Sequence, residues 1–270
     1  MPKPHTETFA TLKDFVIYLE SRRATATGPL WYRGCGRSTY ELRPSLYRHR
    51  ASKSTSDFAT LELQLLERFR QRSIPFHSRS LNDVWETMFL MQHYGIPTRL
   101  LDWSENPFVA FFFAVMTAVP ATGKKSSGKY VSDATIWIFD PVAWNRHALA
   151  HQSYTGGVLG AADPALAGYA PKDGYTGMNN YPVAMYGAHN SQRIVAQRGV
   201  FTVFGQSRSA MEAMYAKGFP TDCLIKGVLP RPTIGELRKA IVDYGITDSV
   251  VFPDLEGLAR EIKRSFGFDS

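Results

Sequence analysis

Two cysteines in 270 residues, Cys35 and Cys223, exclude a disulfide framework, and their separation matches no metal-binding spacing. A reducing compartment is the simplest expectation. Met1 to Phe15 holds no apolar stretch of the kind a secretory signal needs. Long hydrophobic runs are also scarce. The longest, Phe108 to Val119, is bracketed by Pro107 and Pro120 and is too short to cross a bilayer, so it predicts a buried helix and no membrane contact. A soluble, cytoplasmic chain is expected. Acidic residues are short in one place only: residues 1–80 hold fourteen Lys and Arg against seven Asp and Glu, while the remainder balances at seventeen each. The net charge of +7 therefore sits in the first third, around Arg33, Arg37, Arg43, Arg48, Arg50, Lys53, Arg68, Arg70 and Arg72. A cationic face of this kind attracts phosphates, nucleotides or nucleic acid; the competing reading is that these arginines solvate helix faces.

What the chain does have is one dense polar stretch between apolar elements, Gln92 to Ser104. It brings together His93, Tyr94, Arg99, Asp102, Trp103 and Ser104. Gly95 and Pro97 mark a turn, Leu100 to Trp103 predicts a short buried strand, and Asn106-Pro107 predicts the cap and first residue of the apolar helix. Stability alone does not call for so many polar groups there, so the stretch reads as a site.

The rest of the chain predicts helices and strands in mixed order. Thr11 to Asp14 forms a capping-box pattern opening an amphipathic helix. Leu30 to Gly34 predicts a strand ending in a glycine turn, where Gly34 and Gly36 would admit a ligand close to the backbone. Helices are expected over 57–72, with Phe58, Leu61, Leu65, Leu66 and Phe69 as core, and over 83–94. At the end of the second, the helix dipole would favour a protonated His93, with Glu86 on the same face as its orienting partner. Ala134 to Asp140, Gly199 to Phe204 and Cys223 to Leu229 predict strands; 141–151, 234–244 and 253–266 predict helices. His147 and His151 stand four apart, but no third ligand accompanies them, so no metal is assigned. Residues 121–133 read as a surface loop. The Gly- and Tyr-rich segment at about 151–192 reads as a loop, lid or ordered insertion. No repeat or interdomain linker is visible. The expectation is a single α+β domain over 1–270, a mixed and mainly antiparallel sheet flanked by helices.

Tyr32-Arg33-Gly34, His93 to Ser104, Arg193 with Gln197-x-Gly199-x-Phe201, and Phe252 to Leu258 together resemble the FRG domain family, over roughly residues 30–260. The resemblance implies a bacterial or phage-associated intracellular protein of toxin or phage-defence type. In the order of its elements the chain is also similar to ADP-ribosyltransferase folds: Arg33 on an early strand, then a hydroxyl-ended strand, Asp102-Trp103-Ser104, running into a helix. That likeness implies NAD as a substrate, to be cleaved by an ADP-ribosyltransferase or NAD glycohydrolase. The later-strand Glu of those folds is missing here; Gln197 is the nearest candidate, and either Asp102 or Glu86 supplies the charge or the protein binds without cleaving.

On these readings Arg33, His93, Asp102 and Gln197 are the candidate catalytic residues, and Gly34, Tyr94, Arg99, Trp103, Ser104 and Arg193 the candidate ligand contacts. Each has a structural alternative: Arg33 tying strands, His93 a satisfied helix end, Arg99 paired with Asp102, Tyr94 and Trp103 as core, Gln197 bonding a loop backbone, Asp254 and Glu256 as helix caps. Two further function classes stand beside the enzyme. One is a nucleotide- or nucleic-acid-binding module, with a metal-independent nuclease using His93 as its catalytic form. The other is a regulatory interaction domain.

Overall fold

The computed structural model describes residues 3–50, 54–76, 81–122, 129–172, 175, 177–188 and 191–268. Lys53 and residues 123–128 of the 121–133 loop lie outside these residues. Among them seven strands form one sheet: β1 (His5–Thr8), β2 (Trp31–Cys35), β3 (Leu100–Ser104), β4 (Ala134–Phe139), β5 (Val183–Met185), β6 (Gly199–Val203) and β7 (Leu224–Leu229). The spatial order is β1-β7-β4-β2-β3-β6-β5. β1 runs parallel to β7 and every other pair is antiparallel, giving the mixed, mainly antiparallel α+β architecture expected.

The sheet carries a core on each face. Along β4, Ile136 and Ile138 point to one side and Trp137 and Phe139 to the other, the period-two alternation of a sheet buried on both faces. The first side is covered by helices α1 (Leu12–Thr25), α4 (Pro107–Met116) and α8 (Ile234–Asp243). The second is covered by α2 (Thr55–Ser73), α3 (Val84–His93) and α5 (Pro141–Ala148), and by the segment after α5. Short helices α6 (Gln192–Gln197), α7 (Met211–Tyr215) and α9 (Asp248–Val251) and the terminal α10 (Leu255–Ser265) complete the chain.

Local chemistry explains the helix ends. Thr11 and Asp14 form a reciprocal capping box, and Asn106 caps α4 with Pro107 at its first position. α3 ends in a Schellman motif: Gly95 donates to the Gln92 carbonyl and Ile96 to that of Met91, which requires the positive φ of +75° that Gly95 adopts. The segment at 151–192 contributes described residues to the fold. It contains a 3-10 helix (Pro164–Tyr169) and edge strand β5, and it buries Leu166, Tyr169, Tyr175 and Met178 in the second core.

One junction in the sheet differs from the rest. β2 pairs with β4 over five residues and β3 with β6 over five, but β2 and β3 share the single pair Tyr32↔Ser104. Beyond that pair the two strands diverge, and the sheet opens as a fork.

Candidate functional site

The fork opens into a cleft of about 440 Å³. Its walls are β2 from Tyr32 onward, β3 from Asp102 to Ser104, and residues of α3, α4 and α6. Arg33, Gly34, His93, Asp102, Trp103, Ser104, Arg193 and Gln197 all line it. Eight of the ten residues singled out in the sequence thus meet in one place, from four separate elements. Arg99 and Tyr94 do not.

Arg33 spans the fork. Its Nη1 donates to the Asp102 main-chain carbonyl, a group that would belong to the strand ladder had β2 and β3 stayed paired, and lies 3.8 Å from the Asp102 carboxylate. A quarter of its side chain stays exposed, so it ties the strands and also faces the opening. The glycine after it has another job. A Cβ on Gly34 would fall 1.8 Å from the Ala110 carbonyl oxygen, and one on Gly36 2.1 Å from that of Thr117. The body that approaches the backbone here is α4, not a ligand, which corrects the sequence reading of both glycines. The aromatic-Arg-Gly tripeptide thus divides its labour: Tyr32 fills the first core, Arg33 enters the cleft, and Gly34 lets α4 seat against the sheet.

Asp102 offers the exposed carboxylate of the site, with 53% of its side chain accessible. Gln92 Nε2 donates to it at 2.8 Å, and Gln92 Oε1 in turn accepts from buried Thr98 Oγ1 at 2.6 Å. A carboxylate only accepts, so this relay fixes the amide's orientation and aims Asp102. Gln92 and Thr98 are supports of Asp102 that sequence reasoning missed. The signal was present, since both fall inside the polar stretch.

His93 differs from expectation in state and partner. Burial lowers its pKa from 6.5, with nearby Arg193 acting in the same direction and Asp254 opposing, so the imidazole is neutral at pH 7 despite its place at the helix end. Nδ1 lies 3.4 Å from Ser191 Oγ. Glu86, the expected partner, is exposed and does not line the cleft.

The remaining candidates divide. Ser104 Oγ donates to the Gln197 carbonyl at 2.6 Å and accepts from Asn106 N–H at 2.9 Å, holding the turn into α4, so its hydroxyl is occupied. Gln197 Nε2 donates to the Val251 carbonyl at 3.1 Å, the backbone role weighed for it. Trp103 is buried, bonded through Nε1 to Thr202 and stacked on Phe139 at 4.7 Å, so it forms the floor. Tyr94 is 69% exposed outside the cleft, edge-on to His93. Arg99 is wholly buried elsewhere. It pairs with Glu62 at 2.7 Å and not with Asp102, donates to the Phe204 and Tyr169 carbonyls, and lies over the Tyr175 ring. Glu62 is 37 residues away in sequence, which is why the nearby aspartate looked the natural partner.

The cleft's charge comes from Arg33, Arg48 and Arg193 against Asp102. Arg193 lies over Phe252, which Arg260 covers as well. Arg48 belongs also to an adjoining pocket with Arg43, His49 and Arg208, so part of the cationic first third does converge. Arg70 is spent on Thr87 of α3. Cys35 lines the cleft as a thiol, its pKa pushed up by burial more than Arg33 lowers it. No group of three potential metal ligands occurs among the described residues. His147 packs on Phe219 and His151 bonds Asn179, and α5 ends between them. No helix among the described residues is long and apolar enough to cross a membrane.

The family model of the FRG domain matches residues 28–122. That span contains β2, α3, β3 and α4, hence the fork and most of the cleft wall; Arg193, Gln197 and the Phe252 segment lie beyond it. No curated protein and no solved structure matches the chain.

Proposed function

Given that this chain carries an FRG domain over residues 28–122, we propose that the fork cleft binds NAD and cleaves its nicotinamide–ribose bond in the cytoplasm, as an NAD glycohydrolase or ADP-ribosyltransferase of toxin or phage-defence type. One observation carries this reading: Arg33 and an oriented, exposed Asp102 face the same opening, 3.8 Å apart. Arg33 and Arg193 supply planar donors suited to the diphosphate. As nicotinamide leaves with the bonding electron pair, positive charge develops at the ribose C1′ and its ring oxygen. The Asp102 carboxylate, held by Gln92, stabilises that charge. Water or an acceptor hydroxyl then attacks C1′ and gives up its proton to neutral His93 or to Asp102.

The test is release of free nicotinamide from NAD, followed by mass spectrometry. Wild type should release it, and Arg33→Ala should lose at least about a hundredfold of that rate. Absence of both NAD turnover and NAD-dependent thermal stabilisation ends the proposal.

The adjoining pocket of Arg43, Arg48, His49 and Arg208 supports a second reading, in which the cleft and pocket hold a nucleotide or nucleic acid. Affinity for an oligonucleotide should then fall steeply with salt, because phosphate contacts release counterions. A salt-independent interaction counts against it.

A further inference from the structure

The terminal helix α10 is inserted with its polarity reversed. Its inner face is the polar one. Gly257 is buried against Phe252, Arg260 lies over the Phe252 ring at 4.2 Å, Glu261 accepts from Ser249 N–H at 2.9 Å, and Arg264 pairs with Asp248 at 3.0 Å. Its outer face is apolar: Leu255, Leu258, Ile262 and Phe266 follow at i, i+3, i+7 and i+11, and all are exposed, Leu255 by 84% and Phe266 by 76%. A three-turn stripe of large hydrophobic side chains in water costs free energy unless something covers it.

We infer that the covering surface is the α10 helix of a second copy of this chain, packed antiparallel across a two-fold axis. The argument is charge complementarity. Glu256 and Lys263 are exposed, seven residues apart, and so lie on the same flank of the stripe at opposite ends. In an antiparallel helix pair like flanks meet, which sets Glu256 against the partner's Lys263 twice, once at each end. A parallel pair would instead set Glu256 against the partner's Asp254. An anionic membrane surface fits less well, because Asp254 and Glu256 stand at one end of the stripe. The contact is three turns long, so the dimer is a weak one in the micromolar range. It stands independently of any activity in the cleft.

The test is sedimentation velocity over a hundredfold concentration series in the micromolar range, with thermal melting by circular dichroism as the folding control. Wild type should pass from monomer to dimer. Ile262→Glu and, separately, Leu255→Ser should weaken dimerisation at least about tenfold without moving the melting temperature, since both side chains face solvent in the monomer. Glu256→Lys and Lys263→Glu should each weaken it, and the double variant should restore it. A wild type that stays monomeric throughout overturns the inference. So does a double variant that fails to restore association, or binding of wild type to anionic lipid vesicles in place of self-association.

Discussion

Arg33 and Arg99 are chemically alike, and each donates to a main-chain carbonyl and stands beside a carboxylate, yet they serve opposite ends. Arg99 is sealed. Its guanidinium meets Glu62 at 2.7 Å and two carbonyls, one from the 3-10 helix of the 151–192 segment and one after β6, so it knots that segment to the sheet. Arg33 meets its carboxylate only at 3.8 Å, and both groups keep access to solvent. A buried charge with a partner at each nitrogen is committed to the fold. A charge half-satisfied at an opening retains donors for a ligand. The lesson is that residue type identifies neither role; the distance to the carboxylate and the exposure of the pair do.

That contrast can be broken by substitution. Arg99→Met should cost about 3–5 kcal/mol of stability, because it strands Glu62 as a buried unpaired charge, and chemical denaturation would read this directly. Adding Glu62→Leu should recover most of the loss; if it does not, the knot is more than an ion pair. Gly34→Ala comes next, at roughly 1–3 kcal/mol or more from overpacking, since the new methyl must displace the α4 backbone and no flexible side chain can yield instead. A Gly34→Ala protein that melts like wild type would show that the helix seats less tightly than described. On the cleft side the effects should fall on chemistry. Gln92→Leu leaves Asp102 without its amide donor and buried Thr98 without its acceptor, and should slow nicotinamide release about tenfold while costing about 1–3 kcal/mol of stability. A Gln92→Leu variant with unchanged turnover would remove Asp102 from the mechanism.

The smallest effect is a pH dependence. The folded His93 pKa lies below 6.5, so between that value and 6.5 the unfolded chain binds more protons than the folded one. Stability should therefore decline as pH falls below about 6.5, and His93→Gln should remove that component. Melting temperatures from about pH 8 down to about pH 5 should show wild type falling relative to the variant on the acid side. Parallel curves would mean that His93 is not buried as described.

What was legible in the sequence was local. The Thr11 box, the Asn106-Pro107 start of α4, the continuous apolar run of β4 and the apolar spacing of α2 each state their structure within a few residues. The crowding of polar groups between Gln92 and Ser104 pointed to one wall of the cleft for the same reason. Less legible were the features that depend on partners far along the chain. β1 is the four polar residues His-Thr-Glu-Thr and becomes a strand only because β7 offers an edge. β5 is three residues on the far edge of β6, inside a segment that reads as loop. The lowered pKa of His93 comes from burial and from Arg193, a hundred residues on, which sequence alone does not make visible.

The divergence of β2 and β3 after a single pair has a consequence for how this cleft can vary. Its position is drawn by main chain, so no exchange of one wall side chain can close it or move it. Side chains decide only what the opening prefers to hold. The scaffold and its lining are therefore separable: the same parting of strands, refitted with other groups at 33, 92, 102 and 193, would leave an opening in the same spot with a different chemistry on its walls.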